Sequence, residues 1–103
     1  MDEYLNIVKS TILSLVDKNK VSVFLFGSRA DNNYRHDSDV DVGFWANEGL
    51  DKNLFIKINE LLEESIVPYH IDLVDFSRTN ESFRKIALKN IVIWNKTKNF
   101  ELN

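Results

Sequence analysis

Phe26-Gly27-Ser28-Arg29 and, ten residues beyond the Gly-Ser pair, Asp39-Val40-Asp41 are the two stretches that decide the fold. The first closes an apolar run, Val21-Ser22-Val23-Phe24-Leu25-Phe26, whose β-branched and aromatic residues predict a strand covered on both faces. Gly27-Ser28 breaks that strand, and a polar segment runs from Arg29 to Ser38. A second strand, Asp39 to Trp45, then alternates. Val40, Val42 and Phe44 face one way, while Asp39, Asp41, Gly43 and Trp45 face the other. Alternation therefore puts Asp39 and Asp41 on one face, their Cβ atoms about 6.5–7 Å apart. Carboxylates that close repel unless a cation lies between them, and hard oxygen donors favour Mg²⁺ or Mn²⁺ shared with substrate phosphates. The Gly-Ser turn offers backbone amides and a hydroxyl to phosphate oxygens.

Upstream, Leu5, Val8, Ile12, Leu15 and Val16 recur at helical spacing and predict a helix over residues 3–18. Downstream, Asp51 is positioned to cap a helix of about four turns with Leu54, Ile58, Leu61 and Leu62 inward. Pro68 introduces a strand from Tyr69 to Val74, with Ile71 and Leu73 on one face and His70, Asp72 and Val74 on the other. Thr79 or Asn80 caps a short helix that turns Phe83, Ile86 and Ala87 inward. Ile91 to Trp94 is a last strand, and residues 95–103 form a tail expected to fray. The order αβ-β-αβ-αβ predicts a mixed sheet of about four strands with helices packed against it, of the α/β (α+β) class. Asp72 stands mid-strand in an apolar run, where an unpaired carboxylate costs several kcal/mol, so a cation or solvent must meet it. If its strand neighbours that of Asp41, three carboxylates converge, enough to hold two metal ions roughly 3.5–4 Å apart.

Composition narrows the remaining possibilities. With 103 residues the chain is expected to form one domain, residues 1–103, and 44% apolar content excludes a disordered polymer. The absence of cysteine removes disulfides, thiolate zinc sites and cysteine nucleophiles together. A net charge of −3 argues against direct nucleic-acid binding through a basic surface. No apolar run reaches the roughly 18 residues of a membrane span, and acidic Met1-Asp2-Glu3 is unlike a secretory signal. A cytoplasmic protein is expected.

The spacing Gly27-Ser28, ten residues, Asp39-Val40-Asp41, with Asp72 in Ile71-Asp72-Leu73-Val74, resembles the signature of the DNA polymerase β-like nucleotidyltransferase superfamily. Phe26 to Ala30 and Asp37 to Asp41 look like the minimal nucleotidyltransferase (MNT) proteins, and the likeness spans nearly the whole chain. The resemblance implies the nucleotidyltransferase fold. It also implies that Asp39, Asp41 and Asp72 are catalytic and hold two Mg²⁺ (Mn²⁺ being an alternative), with Asp72 helping to deprotonate the acceptor. Gly27 and Ser28 would contact the triphosphate of ATP, and Arg29 is the candidate phosphate clamp. MNT proteins of this size are similar to the antitoxins of HEPN/MNT toxin–antitoxin pairs. The implied reaction is transfer of AMP from ATP to a tyrosine of a HEPN ribonuclease partner. Where many relatives carry Arg-Gly after the motif alanine, Asp31-Asn32 follows Ala30 here, leaving Arg29, Arg35 and metal to meet the triphosphate.

Two other functions compete: a non-catalytic module that occludes a toxin, and a nucleotidyltransferase for a small hydroxylated substrate working with a separate binding subunit. The short chain leaves no second domain to enclose a small acceptor, which favours a macromolecule docking from outside. Several residues read more simply as structural. His36 and His70 lie too far apart, without cysteine, for a zinc set, and His70 is a structural residue before it is a neighbour of Asp72. Asp37 and Asp75 are expected to be solvated, and Arg84, Lys85 and Lys89 to form a solvated helix face.

Overall fold

The computed structural model describes residues 3–31, 34, 35, 37–98 and 100; Asn32, His36 and the chain end at 101–103 lie outside them. Helix α1 spans Glu3–Leu15 and buries Leu5, Val8 and Ile12, the stripe that the sequence spacing predicts. It stops short of residue 18 because the chain folds back at Asp17, whose carbonyl accepts from Lys20 N and Val21 N and whose carboxylate accepts from Asn19 N. Strand β1 (Ser22–Phe26) is buried along its whole length. Strand β2 covers Val40–Trp45, and α2 (Lys52–Glu63) starts at Asp51, which accepts Asn53 N–H at 2.9 Å. Such a cap is worth about 1 kcal/mol. Strand β3 (Ile71–Asp75), α3 (Glu81–Ala87, capped by Asn80) and β4 (Val92–Asn95) complete the order.

The sheet runs β3-β2-β1-β4. Strand β1 is antiparallel to both neighbours, and β2 pairs with β3 in parallel through the α2 crossover. Helices α1 and α2 cover one face, where Leu5, Val8, Ile12, Ile58 and Leu62 meet Val23, Leu25, Val40, Val42 and Phe44. On the other face Phe24, Phe26, Phe76 and Phe100 form an aromatic cluster against Trp45, Val74, Ala87 and Leu88. The two-sided cover expected for β1 is thus met by two different cores. No helix among the described residues is long and apolar enough to cross a membrane.

Two expectations are corrected. Ile86 does not face inward: it is 72% exposed, and Arg84 takes the inner position, its guanidinium over the Trp45 ring and bonded to the Phe76 and Thr79 carbonyls. Nor does the tail fray over 95–98. Asn95 belongs to β4, Thr97 N donates to Ser22 Oγ at 2.9 Å, and Phe100 is 2% exposed, stacked on Phe24 with centroids 5.3 Å apart. The lysine-rich composition conceals this because the anchoring residues are single and widely spaced. Phe100→Ala is expected to cost about 3 kcal/mol in urea unfolding; a loss below about 1 kcal/mol would mean that the tail contributes no packing.

Candidate active site

The register of the sheet assembles the site. Asp41 lies opposite Phe26 of β1 on one side and beside Asp72 of β3 on the other, so one row across the sheet reads Asp72, Asp41, Phe26. The next row, Val74, Gly43 and Phe24, is apolar. The carboxylates therefore sit at the end of the sheet, open to solvent on one side and resting on the aromatic cluster on the other. Asp39 comes one residue before β2, on the same face by strand alternation. Carboxylate oxygens of Asp39 and Asp72 and a ring nitrogen of His70 all lie within 4.8 Å of one another, and all three residues are exposed. His70 Nε2 is 3.2 Å from Asp72 Oδ1.

Asp41 is the half-buried member. Desolvation by burial raises its pKa above the ordinary 3.8, the charges of Asp72 and then Asp39 raise it further, and His70 partly offsets them. Excess negative charge crowded against an apolar floor is what a divalent cation would relieve, and the donor set of hard oxygens with one imidazole suits such an ion.

Gly27 ends β1 with φ +76°, a left-handed conformation that favours glycine. A Cβ there would also overlap Asp41 Oδ2, so the turn and the carboxylate share one space that only glycine leaves open. The 3-10 turn Gly27–Arg29 follows, closed by Ala30 N–H to Gly27 O at 3.1 Å and Asp31 N–H to Ser28 O at 3.2 Å. Ser28 is exposed at this edge.

Arg29, by contrast, turns inward and is 4% exposed. Its Nε and Nη2 donate to Ser38 O at 3.1 and 2.9 Å, and the guanidinium lies between the rings of Tyr34 (4.8 Å) and Tyr69 (4.2 Å). That arrangement ties the residue just before Asp39 to the turn just after β1. Arg35 and Asp37 are exposed. Asp75 is not solvated as expected: it is buried, accepting from Leu50 N, Ser77 N and Ser77 Oγ and paired with Arg78 at 3.3 Å.

A cleft of about 480 Å³ runs along the free edge of β3, between Tyr69, His70, Asp72 and Leu73 on the sheet and Asn59 and Glu63 on α2. It opens beside Asp72. A second cleft of about 370 Å³ is lined by residues such as Asp17, Asn47 and Thr97 and shares none of the carboxylates.

Sequence reasoning brings Asp39, Asp41, Asp72 and Gly27 to one place, and the structure does the same. His70, expected first as a structural residue, makes its side-chain contact with Asp72. Their i, i+2 spacing puts both side chains on one face of the chain entering β3, as the sequence predicts.

Comparison with known proteins agrees with this geometry. The family model described as "Polymerase beta, Nucleotidyltransferase" matches residues 10–99. A probable protein adenylyltransferase MntA from Haemophilus influenzae is 36% identical over 96% of this chain and 86% of its own length. Among solved structures, a toxin–antitoxin with AMP-PNP superposes with a TM-score of 0.71 at 18% identity, over 94% of this chain and 76% of that one. A Shewanella oneidensis tri-AMPylated HEPN toxin in complex with MNT antitoxin matches with a TM-score of 0.61 at 20% identity, over 90% of this chain and 73% of that one. At those identities the structures share the fold.

Proposed function

The chain belongs to the polymerase beta nucleotidyltransferase family, and from that premise we propose that it transfers AMP from ATP to a tyrosine hydroxyl of a HEPN-type toxin. The observation that carries this reading is the in-register pairing of Asp41 with Asp72 on parallel strands, with Asp39 beside them and Gly27 against Asp41. The protein acceptor is supported by the relative named as a protein adenylyltransferase and by one fold relative described as an AMPylated HEPN toxin in complex with MNT antitoxin. The cytoplasm, which supplies ATP, is the proposed location.

Each residue then has a role. Asp39, Asp41 and Asp72 would hold the divalent cations, two Mg²⁺ or Mn²⁺. Bound there, such ions neutralise triphosphate charge, polarise the α-phosphoryl group and lower the pKa of the attacking hydroxyl. Gly27 and Ser28 contact the β- and γ-phosphates. The acceptor oxygen bonds to the α-phosphorus as the bond from that phosphorus to the bridging oxygen breaks, and pyrophosphate leaves. Asp72, exposed beside the β3 cleft, takes the hydroxyl proton. Arg29 acts by holding Ser38, and so the entry of Asp39 into β2, rather than by clamping phosphate.

The test is incubation with ATP, Mg²⁺ and a HEPN partner, followed by intact mass measurement and peptide mapping. An added adenylyl mass on a partner tyrosine, absent with an Asp39→Asn, Asp41→Asn double variant, is expected. A stable complex that silences the partner equally well with the double variant, and carries no adduct, would instead identify a non-catalytic binding module. An adduct on a low-mass hydroxyl compound alone would replace the acceptor.

A further inference from the structure

We propose that His70 is itself a metal ligand, joining Asp39 and Asp72, and that its imidazole tilts the site toward Mn²⁺ over Mg²⁺; this rests on the nucleotidyltransferase reading only in placing a cation at these carboxylates. The three donors are gathered closely enough to share one ion. One carboxylate oxygen each from Asp39 and Asp72 and a ring nitrogen of His70 lie within 4.8 Å of one another, all on the exposed side of the site where an ion would enter.

Donor chemistry selects the ion. Mg²⁺ is bound through oxygen and gives up its water reluctantly, so an imidazole nitrogen favours a first-row transition ion, and of these Mn²⁺ is the one that also suits the carboxylate and water oxygens of this site. The alternative role for His70, a surface ion pair with Asp72, is a weak reason for the arrangement: the side chains are 68% and 55% exposed, and such pairs contribute little. His70 is also held in place, because its carbonyl accepts Val40 N–H at 2.9 Å, which locks it beside the residue that follows Asp39.

The experiment uses Mn²⁺ with a non-hydrolysable ATP analogue, on the full chain and on His70→Gln, with pulsed electron paramagnetic resonance as readout. Wild type is expected to show coupling of Mn²⁺ to an imidazole nitrogen that disappears in His70→Gln. Mn²⁺ affinity should fall about tenfold or more in the variant, and Mg²⁺ affinity much less. A residue acting only through a hydrogen bond to Asp72 would weaken both ions alike and give no nitrogen coupling. That result, coupling that survives in the variant, or a wild type that binds no Mn²⁺, overturns the assignment. Because none of these readouts uses turnover, failure of AMP transfer to a HEPN tyrosine would sink the acceptor reading and leave this one standing.

Discussion

Asp41→Asn is expected to melt a few degrees above wild type at neutral pH in metal-free buffer while transferring AMP about 10³-fold more slowly or worse. Both effects come from one cause. Burial, then Asp72 and Asp39, raise the pKa of Asp41 in the folded chain above its ordinary 3.8, so ionising it costs more folded than unfolded. For an acid shifted upward, the folded state holds the proton more tightly than the unfolded one. Stability is therefore lost as pH rises from about 3.8 through the raised value, and the loss persists above it. Asparagine keeps the shape without the charge and escapes that loss, so the advantage of the variant should vanish below about pH 3.8. A divalent cation reverses the order: Mg²⁺ with a non-hydrolysable nucleotide should raise the wild-type Tm and do little for the variant. A variant that melts below wild type across the whole pH range, or retains a tenth of the rate, would contradict the account of Asp41 as a metal-holding carboxylate under electrostatic strain.

What was legible in the sequence was what periodicity and spacing encode. Val40, Val42 and Phe44 announce the buried face of β2, and the alternation that puts Asp39 and Asp41 on its other face is a local property of any strand. The capping by Asp51 and Asn80 is equally local. What stayed hidden depends on contacts between distant residues. Gly43 reads as an ordinary strand residue, yet a Cβ there would run into the Phe24 ring and come within 2.7 Å of Phe76. The glycine is where the aromatic floor of the site rises to meet the sheet. Arg29, beside a phosphate-type turn, reads as a clamp until Tyr34, Tyr69 and the Ser38 carbonyl converge on it. Asp75 reads as solvated until Leu50 and Ser77 supply it with amides. In Arg29 and Asp75 a polar group expected to face ligand or water is met instead by the backbone of distant residues, Ser38 O and Leu50 N, and no pattern along one strand can reveal that.

Gly27→Ala is expected to cost about 3 kcal/mol of unfolding free energy and to reduce transfer to the level of the Asp41→Asn variant. Two separable effects add. The first is conformational: φ +76° costs an L residue about 1–2 kcal/mol, whatever lies nearby. The second is steric, since the new methyl overlaps Asp41 Oδ2 and must displace that carboxylate from its place beside Asp72. A double-mutant cycle with Asp41→Ala separates them. With the carboxylate gone the overlap goes too, and Gly27→Ala should then cost only the conformational part, about 1–2 kcal/mol in urea unfolding. A cost that is the same in both backgrounds would show that Gly27 serves the turn alone. A cost that shrinks when Asp41 is truncated would show that the turn and the carboxylate are fitted to each other, which is why the glycine ending β1 and the aspartate in β2 belong to one site.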